Sequence, residues 1–217
     1  MRKKSEKVKI KDKNLLDTCG TGGTGTGVFN VSTISAFVLA GAGIKIAKHG
    51  NRAASGKCGS ADVLEELGVK INISTKLVEK CIDEIGIGFM FAPIFHGAMK
   101  YAIETRREMG IRTIFNVLGP LCNPASSKFQ VLGVYSSDLT ELVAKVLKKL
   151  GSKRAFVVCG KDPLDEVTIT GTTKISELSN GKVKTYTVTP ATFGIKKRKL
   201  ELVKGGNSKV NAKIARD

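Results

Sequence analysis

The chain has 217 residues, with 36 Lys and Arg against 19 Asp and Glu, giving a formal net charge of +17. Hydrophobic residues make up 41% and charged residues 25%, which excludes disordered, collagen-like and disulfide-scaffold classes and leaves enough chain to bury a substantial core. The charge is uneven: residues 1–13 are net +5 and residues 195–217 net +6, so +11 of the +17 sits on the two ends.

In chain order, residues 15–19 read as a short buried strand running into a glycine-rich turn. Residues 31–42 are Ala/Val/Leu/Phe-rich and long enough for a buried helix. Residues 44–47 are strand-like and end in the polar stretch 48–57, and 60–67 read as a helix with a serine cap and Gly68 as its stop. Residues 96–109 and 138–149 are amphipathic helices, the second opening with Ser137 and Asp138 and ending at Gly151. Residues 129–135 and 154–159 are β-branched strands, and 182–188 alternates as a half-exposed strand does. This alternation predicts an α/β fold, a mostly parallel sheet flanked by helices.

Five cysteines lie at least 23 residues apart, an odd number with no C-x-x-C pair, so neither a disulfide framework nor a zinc site is expected. The longest near-apolar stretch, 34–44, is about half a membrane span. Met1-Arg-Lys-Lys is followed by Glu6, Lys7, Lys9 and Lys11 where a signal peptide has an apolar region. A soluble, cytoplasmic protein with no membrane partner is expected.

The turn at 20–27 reads Gly-Thr-Gly-Gly-Thr-Gly-Thr-Gly, which lets the backbone approach a ligand and turns N–H groups toward phosphate oxygens. Gly20, Gly22 and Gly25 satisfy G-x-G-x-x-G, but no acid occurs between Asp17 and Asp62 to hold a ribose, which argues against a dinucleotide site. Thr26 stands where a Walker A loop has Lys. Asn30, Ser32 and Thr33 then open a helix, where polar side chains serve either as caps or as an anion or metal–phosphate site. The segment Lys48-His-Gly-Asn-Arg-Ala-Ala-Ser-Gly-Lys-Cys-Gly-Ser60 is either a solvated loop or, beside the first turn at the ends of adjacent parallel strands, the second wall of a polyphosphate pocket.

Together with Asp17-Thr-Cys-Gly-Thr-Gly-Gly, Phe29-Asn-Val-Ser-Thr, Gly59-Ser-Ala-Asp-Val-Leu-Glu-Glu-Leu-Gly, Arg112-Thr-Ile-Phe-Asn-Val-Leu-Gly-Pro-Leu-Cys-Asn-Pro and Asp165-Glu166, that segment resembles the anthranilate phosphoribosyltransferase family over most of residues 14–206. The resemblance implies the large α/β domain of the nucleoside phosphorylase/phosphoribosyltransferase class, with the helical N-terminal small domain largely missing. It implies residues 1–13 as a basic remnant of a preceding helix or linker, and 14–217 as a catalytic domain truncated at its C-terminus. It also implies transfer of a phosphoribosyl group from phosphoribosyl diphosphate to anthranilate in tryptophan biosynthesis, with Mg2+ as cofactor and a homodimer as the assembly.

Residue by residue, the resemblance places Gly20, Gly23, Thr24, Val28, Asn30, Ser32, Thr33, Lys48, Asn51, Arg52, Ser55, Gly56 and Ser60 around phosphoribosyl diphosphate. It places Gly20, His49, Asn51, Arg106 and Pro120 around anthranilate, and Ser32, Asp165 and Glu166 at the metal. No residue stands out as a general base. Thr24 stands where the family usually has Asp, Val28 where a hydroxyl residue is common and Gly56 where a second serine is common. Two other readings stay open at this level: a pyrimidine nucleoside phosphorylase-like enzyme, and a non-catalytic nucleic-acid-binding relative. The second is disfavoured by the terminal placement of the charge and by only three Tyr and no Trp.

Overall fold

Five short hydrophobic strands lie side by side in a computed structural model that describes residues 1–53, 56–111, 113–162 and 164–217, the side chains of 103–107 excepted. Ser55 and the side chain of Arg106 therefore lie outside the described residues. The strands are β1 (Leu16–Gly20), β2 (Ile46–Gly50), β3 (Ile87–Phe91), β4 (Phe129–Gly133) and β5 (Arg154–Gly160), paired in parallel; β6 (Thr173–Ser179) and β7 (Lys182–Val188) add an antiparallel hairpin. Sheet order is β3-β2-β1-β4-β5-β6-β7. The central strands are buried on both faces, as parallel strands covered by helices must be, whereas β7 at the edge is largely exposed. Asn180 and Gly181, both at positive φ, make the two-residue turn that joins β6 to β7.

Helices α1 (Val31–Gly41), α2 (Ser60–Glu66), α3 (Thr75–Ile85), α4 (Ala92–Phe95), α5 (Lys100–Met109), α6 (Phe115–Leu118), α7 (Leu139–Lys149) and α8 (Ser208–Arg216) connect and flank the strands. In α7, Val143, Ala144 and Leu147 recur on one face and pack with Leu132, Val134, Val157 and Leu178 of the sheet. In α3, Val78 and Ile82 stack one turn apart and join Ala47 and Met90. Ser74 caps α3 by accepting the Leu77 N–H, and Gly86 ends it in the left-handed region.

Several elements depart from the sequence reading. The second strand continues through Lys48 and His49, both buried, because β2 lies between β1 and β3 and Lys48 finds carboxylate neighbours there. Helix α1 is buried only at Thr33 and Ala36; Phe37 and Val38 face outward, Val38 at 67% exposure. Gly59 rather than Ser60 caps α2, with the Asp62 carboxylate accepting the Gly59 N–H at 2.8 Å. The 96–109 helix is broken: α4 ends before His96, a 3-10 turn covers Gly97–Met99, and α5 follows. The basic chain ends are built into the domain, and the Arg2 guanidinium donates to the Leu121 carbonyl at 2.6 Å. Val8 and Ile10 join the cluster around Val78 and Ile82, and Lys204 bridges Val28.

The chain passes from β1 to β2 and β3 on one side of the sheet, then crosses to β4 and β5 on the other. That reversal leaves a crevice beyond the carboxyl ends of β1 and β4, where open α/β sheets take their ligands. Both strands end on glycine, Gly20 paired with Gly133. A Cβ on Gly133 would sit 1.5 Å from the Asp165 carbonyl oxygen, and one on Gly20 would sit 2.3 Å from the Asp165 carboxylate. The loop carrying Asp165 thus lies directly on two bare strand ends. Gly133→Ala is expected to lower stability by about 1–3 kcal/mol through overpacking. Gly97→Ala, which points a Cβ into open space, is expected to be near neutral; urea denaturation of both variants checks the contrast.

Candidate functional site

Beyond Gly20 the chain makes an open loop with Gly22, Gly23, Gly25 and Gly27 all at positive φ, a conformation that non-glycine residues resist. The Gly22 N–H donates to the Asp165 carboxylate at 2.7 Å, and the Thr24 and Thr26 hydroxyls bond each other at 2.9 Å. The loop then runs into α1, whose first turn presents Ser32 and Thr33. The Thr33 hydroxyl is buried without a hydrogen-bond partner among the described residues. A buried hydroxyl at a helix N-terminus, where the peptide dipoles favour negative charge, is a donor held ready for an anion.

Lys48 is the charged centre. It is 3% exposed, and its ammonium donates to the Thr18 carbonyl at 2.5 Å and to the Ser32 hydroxyl at 3.4 Å. Burial lowers its pKa, opposed by the charges of Asp17, Cys19 and Glu166. Asp17, fully buried in β1, accepts from the Asn123 side chain at 2.8 Å, the Gln130 side chain at 3.4 Å and the His49 backbone N–H at 3.3 Å. Burial raises the Asp17 pKa, and Lys48, Asn123 and the His49 backbone counter it.

Asp165 and Glu166 are half-buried residues, but their carboxyl groups lie deep enough that burial raises both pKa values. For Glu166 the value is pushed up to about 8, by burial first and by the Asp165 charge second. Lys48 and the Ser32 backbone work against that rise. Two adjacent inward carboxyls with one buried ammonium between them and Asp17 are short of positive charge. A divalent cation fits that deficit. Among the described residues no group of three His, Cys, Asp or Glu forms a protein-only metal cage. The oxygen donors present, two carboxyls and the Ser32 hydroxyl, suit Mg2+, which keeps water and phosphate oxygens in its shell.

The second polar segment forms the facing wall. Asn51 and Arg52 are exposed, and the Ser60 hydroxyl donates to the Asn51 carbonyl at 3.2 Å. Gly59 permits that tight fold, since a Cβ there would meet the Ala53 nitrogen at 2.3 Å. Arg52 is turned onto α2, paired with Asp62 at 3.0 Å and Glu65 at 2.5 Å and lying 5.6 Å over the Phe91 ring. Gly56 is exposed, and Val28 pairs across to Lys204. Asn30 links the walls, its amide donating to the Cys58 carbonyl at 3.2 Å.

His49 is 7% exposed, and the Gly119 backbone acts to raise its pKa; Pro120, next to Gly119, is buried. The His49 ring lies 4.9 Å from His96 in an edge-on pair, and the Nε2 atoms of both are buried without a partner among the described residues. Burial, then His96, lowers the His49 pKa to about 3. The expected residues Gly20, Gly23, Thr24, Asn30, Ser32, Thr33, Lys48, Asp165 and Glu166 thus gather over the ends of β1, β2 and β4, with His49 and Pro120 beneath the second wall. Asp17, Asn123 and His96 were not picked out for roles. An acid inside an apolar strand and an Asn before Pro124 were the signals that could have found the first two. A separate open cleft of about 720 Å3, lined by Lys161, Lys196, Lys197 and Ile195 among others, includes none of the site residues.

A sequence model described as glycosyl transferase family, a/b domain, matches residues 12–217. The chain is 56% identical over 218 residues to an anthranilate phosphoribosyltransferase of Persephonella marina, covering 100% of this chain and 64% of that protein. It is 57% identical over 202 residues to one of Moorella thermoacetica, covering 93% and 60%. A crystal structure of the Thermus thermophilus enzyme of that name superposes with a TM-score of 0.93 at 44% identity, covering 100% of this chain and 64% of that one. The Saccharomyces cerevisiae enzyme in complex with PRPP and Mg superposes at 0.89 and 35% identity, covering 99% and 59%. The chain thus spans about three-fifths of the length of these relatives.

A neutral His49 in the fold has a pH consequence. Its folded pKa lies below the ordinary value near 6.5, so the unfolded chain takes up more protons between the two values and stability falls as pH drops below about 6.5. The slope from this residue is up to about 1.4 kcal/mol per pH unit. Denaturation midpoints at pH 7 and pH 5 are expected to differ less in His49→Gln than in the parent chain, whatever the variant's absolute stability.

Proposed function

The chain belongs to the glycosyl transferase family, a/b domain, and from that premise we propose that it transfers the 5-phosphoribosyl group of phosphoribosyl diphosphate to the amino group of anthranilate, releasing pyrophosphate, in tryptophan biosynthesis. The observation that carries the reading is the seating of Asp165 on Gly20 and Gly133, which holds a carboxyl pair against the glycine-rich loop and the α1 N-terminus. The curated relatives named above and the PRPP- and Mg-bound neighbour support it.

In this reading the bond from ribose C1 to the diphosphate oxygen breaks with its electron pair leaving on pyrophosphate, the aniline nitrogen bonds to C1, and the proton that the nitrogen sheds passes to solvent. The loop amides around Gly20 and Gly23, the Thr24, Ser32, Thr33 and Ser60 hydroxyls, the Asn30 and Asn51 amides, and Lys48 line the phosphate groups. Val28 and Gly56 shape the loops that close on them. These donors favour the leaving group as its charge grows, because they are fixed before the reaction begins. Arg52 turns from its exposed pairs with Asp62 and Glu65, which contribute little to stability, toward the diphosphate. Ser55 is assigned to the diphosphate as well.

Asp165, Glu166 and Ser32 would hold Mg2+, which would supply countercharge to the diphosphate as it leaves. His49, Asn51, Gly20 and Pro120 hold the anthranilate ring, and Arg106 meets its carboxylate. His49 stays neutral and so does not repel the cationic wall. No side chain is assigned as a general base; alignment of amine and C1 supplies the rate. The active assembly we propose is a cytoplasmic homodimer, with residues 1–13 leading into the catalytic domain 14–217.

Mixing the protein with anthranilate, phosphoribosyl diphosphate and magnesium is expected to quench anthranilate fluorescence and release pyrophosphate in equal amounts. No turnover by a version that spans the full length of the relatives would overturn the reading. Asp165→Asn with Glu166→Gln is expected to fold but to need magnesium at least tenfold higher; an unchanged magnesium dependence would remove both from the metal.

A further inference from the structure

The segment after β7 returns across the molecule to the glycine-rich loop. There it forms a short antiparallel clasp: the Phe29 N–H donates to the Val203 carbonyl at 3.1 Å, the Gly205 N–H donates to the Gly27 carbonyl at 2.8 Å, and Val28 bridges Lys204. Gly205 lies so close to Phe29 that a Cβ would meet its Cα at 2.7 Å. Chain then turns into α8, capped by Asn207, whose side chain accepts the Val210 N–H. One turn further on, Asn211 is 2% exposed, a polar side chain in a position where only hydrogen bonding offsets its burial.

Both ends of the Asn211 amide are used. Its Oδ1 accepts the Gly206 N–H at 2.7 Å and its Nδ2 donates to the Asn30 Oδ1 at 2.8 Å. The first bond decides which way the Asn211 amide points, since only the oxygen can accept from a backbone N–H. That orientation leaves Nδ2 facing Asn30, which must answer with its oxygen. Asn30 in turn has only its Nδ2 left for the other side, where it donates to Cys58. A chain of three fixed polarities therefore runs from the clasp, through Asn211 and Asn30, to the wall containing Cys58. No member can flip alone without opposing two donors or two acceptors.

We propose that Asn211 is a positioning residue for the phosphoribosyl diphosphate site: it fixes the Asn30 amide so that its N–H2, not its carbonyl, faces the diphosphate. The inference rests on the reading of Asn30 as a diphosphate-site residue. It assigns the C-terminal clasp a part in function, and makes the glycine-rich loop and the second polar wall move as one unit. An amide presenting its oxygen to a polyanion would repel it, so the orientation sets affinity for the leaving group.

The test compares Asn211→Asp with Asn211→Ala by calorimetric titration of inorganic pyrophosphate with magnesium, alongside thermal unfolding. Asn211→Asp keeps the shape and still accepts from Gly206, but offers Asn30 an acceptor and so turns its amide round. The expected result is pyrophosphate binding weakened at least tenfold in Asn211→Asp, and less than that in Asn211→Ala, which leaves Asn30 free to turn either way. In a background of Asn30→Ala the Asp substitution is expected to have no further effect on binding. Equal affinity in the parent and Asn211→Asp would overturn the proposal, as would an undiminished Asp effect in the Asn30→Ala background. Loss of melting temperature with unchanged affinity would show a purely structural role and also overturn it. A parent chain that binds no pyrophosphate at all would count instead against the diphosphate site on which the inference rests.

Discussion

A lysine ammonium held out of water between carboxyls is the constraint around which the site is arranged. Lys48 lies on a strand buried on both faces, and a lone charge there would be neutralised or expelled. Here it is retained because Asp17, Glu166, the Thr18 carbonyl and the Ser32 hydroxyl surround it. Those partners come from β1, the start of α1 and the 161–172 loop, so the ammonium ties three elements to the end of β2. Asp17 is fixed in turn by Asn123 and Gln130, which anchor the turn around Pro120.

The glycines make this closeness available. Gly20 and Gly133 end adjacent strands with no side chain, so the backbone of Asp165 rests on them and its carboxylate reaches Gly22. That contact leaves two acids side by side and away from water, and burial first and the Asp165 charge second raise the Glu166 pKa. In the proposed function, a metal–diphosphate complex would bring positive charge to these acids and negative charge to Lys48.

Much of this was legible in the sequence. The strand–helix alternation gave the parallel sheet, and Gly20 to Gly27, Lys48 to Ser60 and Asp165-Glu166 stood out as polar punctuation at strand ends. Less legible was anything that depended on pairing partners. Lys48 and His49 look like the start of a polar loop, because no local pattern shows that β3 and β1 will cover them. Residues 75–91 and 173–179 went unassigned, although Ser74, Gly86 and Asn180-Gly181 marked their ends. Asn211 carried no signal, since its importance comes from Asn30, 181 residues away in sequence. The excess of charge at the two ends drew attention away from Val8, Ile10 and Gly205, which lie between those charges and are packed.

The central claim is that the buried lysine, the carboxyl pair and the glycine-rich loop form a single metal–diphosphate site. Crystals grown with manganese and pyrophosphate test it most directly through the anomalous signal of the metal. The account predicts a manganese peak between the carboxylates of Asp165 and Glu166 and the Ser32 hydroxyl, with pyrophosphate over residues 20–33. Manganese at Asp62 and Glu65 of α2, or pyrophosphate away from the glycine-rich loop, would contradict it.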